Sequence, residues 1–197
     1  MLAYVFWHWS AAKISQAVYE DRLQAFHRTL AMAAPEGFIR SAAFRIQGAR
    51  WLQQPNAYED WYLVKDFAAL GTLNAAAVSG ARKFPHDEAA RLASGGIAGL
   101  YRLVAGLADF RSFRFAVWLA KPSKTSYEQF LEQAQSWIQA DQAALWQRQM
   151  TLGPTTEFCL QSTTRIEVEK RYTPVEVPLV PVTHVAERRI SDRKGRI

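Results

Sequence analysis

The 197-residue chain has a single cysteine, Cys159, which excludes an intrachain disulfide and a cysteine-only metal cluster. Such scarcity fits a reducing compartment, and we expect a cytoplasmic location. No run of about 18 apolar residues occurs, so no membrane span is expected. The apolar residues 2–9 lack the preceding basic region and the following cleavage site of a signal peptide, so we interpret them as a strand.

Signals for metal, phosphate and nucleophilic sites are also missing. The glycines of residues 95–99 follow a predicted helix and precede a predicted strand, the reverse of a phosphate loop, so they are interpreted as the end of that helix. No serine lies in a nucleophile-elbow pattern. Four histidines lack the spacing of metal ligands, so no metal is predicted: His8, His27, His86 and His184.

The net charge of +6 is concentrated at one end of the chain. Residues 187–197 carry five basic and two acidic side chains, so the rest of the sequence is nearly balanced. A terminal basic tail is typical of a solvated end, and no zinc-finger, KH or RRM signature accompanies it. Nucleic acid is therefore not the expected partner.

What the chain does contain is a repeated theme. The aromatic segment YVFW from residue 4 is echoed by FAVW from residue 115, and each precedes a Tyr-Glu pair with leucine four residues after the tyrosine. About 40 residues after each tryptophan the echo continues, with FRIQ from residue 44 and FCLQ from residue 158. A repeated supersecondary unit predicts two pieces that pack on related surfaces.

Hydrophobic periodicity and turn residues give the predicted elements. Ser15 is a plausible N-cap for the first helix, and a second helix begins near Phe67 and breaks at Pro85. The prolines of residues 175–185 predict an edge strand or a wrapping arm. The other predicted elements are strands 2–9, 38–47, 57–66, 98–105, 112–120 and 155–166 and helices 87–93 and 127–150.

This order divides the chain into a strand-helix-strand-strand-helix-strand module, residues 1–108, a partial second module, residues 109–166, and an extended arm with a basic tail, residues 167–197. It resembles the dimeric α+β barrel superfamily. The resemblance implies an α+β fold in which two ferredoxin-like sheets meet face to face, with a ligand pocket beside one sheet. Because the second module stops halfway, an open sheet face is left, and a homodimer is expected.

Members of that superfamily include cofactor-free monooxygenases of aromatic polyketides, haem enzymes, and proteins that only bind ligands or assemble. No motif matches any of them residue by residue, so no catalytic residue is carried over. No cofactor is expected, and haem is the less favoured alternative. The resemblance favours a small-molecule-binding protein, an oxygenase-like enzyme without cofactor acting on an aromatic or hydrophobic substrate; the alternative is a non-catalytic ligand-binding or assembly protein.

Strand alternation suggests a site without a motif. Tyr58, Asp60 and Tyr62 share one face of the third strand, and Trp61 lies on the other. If His8 lies on the side of Asp60, then His8, Asp60 and Tyr62 form a catalytic group in which Asp60 holds His8 as a general base. The alternative is that His8 is a core residue.

A further set of residues is predicted to bind the ligand. His86 follows Pro85 and would lie at a pocket mouth, although Asp87 beside it also fits a helix cap. His27 is expected to be a surface or packing residue. The predicted ligand-binding residues are Arg45, Tyr58, Trp61, His86 and Arg102.

Overall fold

The computed structural model describes residues 1–54, 56–138 and 143–183 and the backbone of residues 186–187. Helices and strands are mixed along these ranges, which confirms the predicted α+β class. In order they are β1 Leu2–Ser10, α1 Gln16–Met32, β2 Phe38–Gln47, β3 Asn56–Val64, α2 Phe67–Ala77, α3 Gly80–Leu92, β4 Ala93–Gly106, β5 Phe115–Leu119, α4 Tyr127–Ile138, β6 Ala143–Arg148, β7 Phe158–Ser162, a 3-10 turn at Lys170–Tyr172, β8 Val175–Pro181 and β9 Ala186–Glu187.

Strands β1 to β8 close into an antiparallel barrel within the described chain. The order around it is β3-β1-β4-β6-β7-β5-β8-β2, and β2 pairs with β3 to complete the circle. The short β9 continues along β2 beyond β8. Every edge of the eight strands therefore has a neighbour.

The barrel consists of two halves with one strand order. The first runs β2-β3-β1-β4 and the second β6-β7-β5-β8, each as in a ferredoxin-like sheet. The prediction of a copy that stops halfway is wrong for the strands. It holds only for the helices, because Lys170–Tyr172 occupies the sequence position of α2 and α3.

This closure bears on the expected homodimer. The inner face of the first sheet is covered by the second half of the same chain, through the β4–β6 and β2–β8 ladders. The physical reason for expecting a dimer, an open sheet face, is thereby removed. A homodimer stays an untested prediction.

Two strands of the second half, β6 and β8, differ from the sequence predictions. The helix predicted over 127–150 ends at Ile138, and β6 pairs with both β4 and β7. Residues 143–146 are all buried, so they show no period of two. Leu145 packs outside the barrel near α4, whereas the Trp146 indole donates to Gln161 Oε1 inside it, at 2.9 Å.

The proline-rich segment is a strand, as one of the two predictions had it, but it has a neighbour on each side and is not at an edge. Residues 175–181 form β8, which pairs with β5 as far as Pro178 and with β2 from Leu179 to Pro181. The prolines lie where each ladder ends, so the strand closes the barrel despite its missing donors. His184 and the basic tail of residues 188–197 lie outside the described residues.

The barrel interior is filled by aromatic rings. Trp7, Trp61, Trp118 and Trp146 are fully buried there, and ring centroids of Trp7 and Trp118 lie 5.3 Å apart. Because strand residues alternate, the same strands send His8 and Asp60 to the outer face of the barrel. The site therefore lies outside the barrel, under the helices.

The first three helices cover this outer face. Helix α1 buries one stripe of apolar side chains, Tyr19, Leu23, Phe26 and Leu30. Its N-cap is Ser15, as predicted, whose Oγ accepts from the Val18 amide.

The second helical segment breaks between α2 and α3 and not at the predicted proline, since Pro85 lies inside α3. Gly95 and Gly96, interpreted as a helix end, lie within β4 instead. Rings of Phe6 and Trp9 lie where their side chains would be. None of the helices in the described part of the chain combines the length and hydropathy of a bilayer span.

Candidate functional site

A cavity of about 600 Å³ lies between the outer face of the first sheet and helices α1 to α3. Its wall is mostly apolar and aromatic, with a small polar group where β1 and β3 meet α1. Residues from these strands and α1 that line it are Tyr4, Phe6, His8, Tyr19, Leu23, Phe26, Asp60 and Tyr62. Residues from α2 and α3 include Phe67, Leu70, Gly71, Asn74, Val78 and His86.

The corresponding surface of the second half is packed differently. Helix α4 lies directly on its sheet, with the Phe130 and Phe158 ring centroids 4.2 Å apart. The Tyr172 hydroxyl there donates to Gln133 Oε1 at 2.6 Å. The cavity thus belongs to the half in which two helices follow the third strand.

Asp60 is the centre of the polar group. Its side chain is only 2% exposed, and its Oδ2 accepts from the Tyr62 hydroxyl at 2.8 Å and from His27 Nε2 at 3.1 Å. On the other side, His8 Nε2 lies 3.2 Å from Oδ1. One buried carboxylate is therefore held between two histidines.

The contact between His8 and Asp60 differs from the other two. Its distance is that of an ion pair, but His8 Nε2 and Asp60 Oδ1 are not aligned for a hydrogen bond, and neither makes one elsewhere among the described residues. Both atoms are buried. Since buried polar atoms normally have partners, this pair has unused capacity for a ligand.

The opposite side of the His8 ring contacts a tyrosine. His8 Nδ1 lies 2.7 Å from the Tyr19 hydroxyl, and Tyr58 stacks on the ring with centroids 5.6 Å apart. Asp60, His8 and Tyr19 thus form a carboxylate–imidazole–hydroxyl series, the arrangement in which an oriented base activates a hydroxyl. Tyr19 lines the cavity, so this relay ends at the ligand space.

Sequence reasoning missed His27. The prediction of a surface residue is wrong, and the alternative of a packing residue gives only part of its role. His27 is buried and binds Asp60, while its Nδ1 lies 2.8 Å from Ser41 Oγ. The available signal was its position four residues after Leu23 on the buried stripe of α1. A polar residue at such a position indicates a buried hydrogen bond.

The charges of the group follow from its surroundings. Burial alone would raise the pKa of Asp60, but the adjacent His8 and His27 outweigh burial and hold this pKa well below its ordinary value. Burial and the charge of Asp60 raise the pKa of Tyr19 and of Tyr62. At neutral pH the site therefore holds a carboxylate and protonated tyrosine hydroxyls.

Of the five predicted ligand-binding residues, only His86 lines the cavity. Its ring packs edge-on against Phe26 at 5.5 Å, and its Nδ1 lies 3.1 Å from Asp87 Oδ1. Tyr58 does not line the cavity, and its ring stacks on that of His8.

The other three predicted ligand-binding residues lie elsewhere. Trp61 points into the barrel, where its indole donates to Glu59 at 2.6 Å, because alternation places it opposite Asp60. Arg45 lies 3.3 Å from Glu20 outside the cavity wall, and Arg102 is exposed on β4. No group of three or more His, Cys, Asp or Glu side chains suited to a metal ion occurs among the described residues.

No protein-family model and no curated protein sequence matches the chain. Solved structures do match. A protein of Lactobacillus acidophilus NCFM, provisionally named a monooxygenase, has a TM-score of 0.59 at 9% identity, over 95% of this chain and 96% of that one. Another of that provisional name, from Fusobacterium nucleatum subsp. nucleatum, has a TM-score of 0.60 at 9% identity, over 94% of each chain.

A third structure, of an anthrone oxidase-like protein, has a TM-score of 0.53 at 9% identity, over 94% of this chain and 92% of that one. At such identities these likenesses show a shared fold. They single out no family.

Proposed function

We propose that the chain is an oxygenase-like enzyme that needs no cofactor and acts on an aromatic or hydrophobic substrate. The observation that carries this proposal is the Asp60–His8–Tyr19 relay, which ends in an apolar cavity. Such a relay can remove a proton from a bound molecule, and the mostly apolar wall of the cavity surrounds the carbanion or phenolate that results.

Proton removal begins at Tyr19. Its oxygen accepts a proton from the substrate while its own proton passes to His8 Nδ1, 2.7 Å away. The Asp60 carboxylate, 3.2 Å from His8 Nε2, stabilises the imidazolium that forms. His27 and Tyr62 are positioning residues, because both bind the distal oxygen of Asp60.

Dioxygen is the oxidant of the second step. A substrate carbanion beside an aromatic ring is electron-rich and forms a carbon–oxygen bond with O₂, and the resulting peroxide takes a proton. Loss of water from this hydroperoxide leaves a carbonyl, so that a methylene and one O₂ yield a ketone and one H₂O. The names of the structural neighbours, monooxygenases and an anthrone oxidase-like protein, support this chemistry.

Oxygen uptake tests the proposal. Chelator-treated protein is mixed with 1,8-dihydroxyanthrone, and O₂ consumption is measured against buffer. Wild-type protein should accelerate uptake with saturation, and Tyr19→Phe should lower kcat/KM by about 100-fold. The matched control is Tyr172→Phe, which removes another buried tyrosine hydroxyl in the second half and should leave the rate unchanged.

The alternative role predicts a different result. A protein that binds the anthrone but consumes no O₂ above the buffer rate is a non-catalytic ligand-binding protein. Equal rates for the Tyr19→Phe and Tyr172→Phe variants would remove the relay from the mechanism.

A further inference from the structure

We propose that the cavity selects uncharged hydroxyaromatic ligands and rejects aromatic anions, with His8 Nε2 and Asp60 Oδ1 recognising the ligand hydroxyl. The inference rests on the proposed function in so far as it uses the same cavity. It concerns binding, however, and does not require reaction with O₂.

The hydrogen-bonding atoms left unused define the ligand group. Asp60 Oδ2 already accepts from His27 and Tyr62, whereas Oδ1 and His8 Nε2 have no hydrogen bond among the described residues. The Asp60 carboxylate, 3.2 Å from His8 Nε2, favours the ring hydrogen on that nitrogen, which leaves Nδ1 to accept from the Tyr19 hydroxyl. His8 and Asp60 line the cavity, so this acceptor and this donor lie side by side at its floor, where both atoms are nearly covered.

A hydroxyl matches this pair and other simple groups do not. It can donate to Asp60 Oδ1 and accept from His8 Nε2 at the same time. A ligand carboxylate can only accept, and a bare aromatic ring leaves both buried atoms unpaired, which costs binding free energy. Tyr4, whose hydroxyl has no hydrogen bond to the described residues, also lines the cavity and can pair with a second polar group.

The charge of the wall acts in the same direction. No lysine or arginine is among the described residues that line the cavity, whereas the Asp60 carboxylate lies within it. A ligand carboxylate adds a second negative charge to a site with little water. A phenol brings its own proton, so the total charge of the site stays constant even when Tyr19 passes a proton to His8 Nδ1.

Binding under anaerobic conditions tests this selectivity without turnover. Titration calorimetry near pH 8, above the ordinary histidine pKa of about 6.5, compares 2-naphthol, 2-naphthoate and naphthalene. We expect 2-naphthol to bind about tenfold more tightly than naphthalene and on the order of 30-fold more tightly than 2-naphthoate. Equal or tighter binding of 2-naphthoate, or no binding of 2-naphthol, overturns the proposal.

Two variants test whether the Asp60 carboxylate is the group that disfavours anionic ligands. Asp60→Asn should bring the dissociation constants of 2-naphthoate and 2-naphthol within a few-fold of each other, because the variant lacks the negative charge that repels 2-naphthoate. Glu20→Gln removes a carboxylate from α1 outside the cavity wall and should preserve the wild-type ratio. An unchanged ratio in folded Asp60→Asn contradicts the assignment; if this variant does not fold, the wild-type comparison decides.

Failure of this inference can be separated from failure of the proposed function. Selective 2-naphthol binding without O₂ uptake retains the ligand class and removes the oxygenase. Tyr19-dependent O₂ uptake with unselective binding supports the oxygenase proposal and contradicts selection against anionic ligands.

Discussion

At the residue scale, two adjacent carboxylates on β3 show how the surroundings set a charge. Glu59 points into the barrel, where two indoles donate to it, Trp7 at 2.7 Å and Trp61 at 2.6 Å. Burial raises the pKa of Glu59 to about 7, because those two hydrogen bonds offset the loss of water only in part. Asp60, on the opposite face, keeps a low pKa because two histidines surround it.

Glu59 should make stability depend on pH. Its folded-state pKa lies above its ordinary value of 4.5, so the unfolded chain loses this proton first as pH rises. The contribution of Glu59 to the free energy of unfolding should therefore fall by roughly 3 kcal/mol between pH 4.5 and pH 7. The pKa of Asp60 is shifted down, so its contribution is lost only in acid, below this window.

Urea unfolding of wild-type protein and Glu59→Gln at several pH values isolates this effect. The wild-type minus variant difference should change in favour of the variant as pH rises through the window and level off above it. A difference that stays constant with pH would show that Glu59 ionises in the folded state as it does in water.

Part of the site follows from residue-level rules. Strand alternation placed His8, Asp60 and Tyr62 on one side, and the β1–β3 register brings that side together. The contributions of Tyr19 and His27 could not be derived in this way, because they depend on how α1 docks across the sheet. The helical spacing indicates that Tyr19 and His27 are buried, but it does not indicate which strand residues they contact.

At the element scale, two glycines have contrasting environments, one within α2 and one packed against it. Gly71 lies within this helix at the cavity wall, and an added side-chain carbon would meet nothing within 4 Å. Gly37, in the turn before β2, has a φ of +75° and lies against Ala69 of α2, where an added carbon would overlap.

These glycines predict opposite effects of one substitution. Gly71→Ala should raise the free energy of unfolding by up to about 1 kcal/mol, because alanine favours a helix. Gly37→Ala should lower it by more than that, since the backbone and the space both oppose a side chain. Thermal unfolding measures both, and a destabilised Gly71→Ala variant would show that α2 needs the flexibility of glycine.

Sequence patterns located most elements. Where every residue is buried, however, they did not distinguish a strand from a helix. Periodicity predicted α1 and its cap because one face of that helix is polar. It failed at β6, whose buried residues also fit a helix, and at β8, where prolines masked the pairing. Both failures fall in strands that connect the two halves.

At the scale of the whole molecule, closure of the barrel joins the two halves into one core. Strand β4 pairs with β6, β2 pairs with β8, and Trp7 and Trp61 of the first half pack on Trp118 of the second. The repeat predicted related halves. It could not predict that they close on each other, since no local pattern encodes contacts across more than a hundred residues.

The first half should therefore not fold alone as a monomer. A fragment of residues 1–108 would expose the aromatic face that the second half covers, so we expect aggregation or self-association. Light scattering and near-ultraviolet circular dichroism measure this. A monomeric fragment with cooperative unfolding would contradict the single core and would support the module boundary predicted at residue 108.

The central claim is that the cavity removes a proton from its ligand through Tyr19, His8 and Asp60. The most direct measurement is an anaerobic absorption titration of 1,8-dihydroxyanthrone near neutral pH, in which no oxidation can follow. The account predicts the spectrum of the ligand anion with wild-type protein and with Tyr172→Phe, and that of the neutral ligand with Tyr19→Phe. A neutral spectrum for ligand bound to wild-type protein would contradict it.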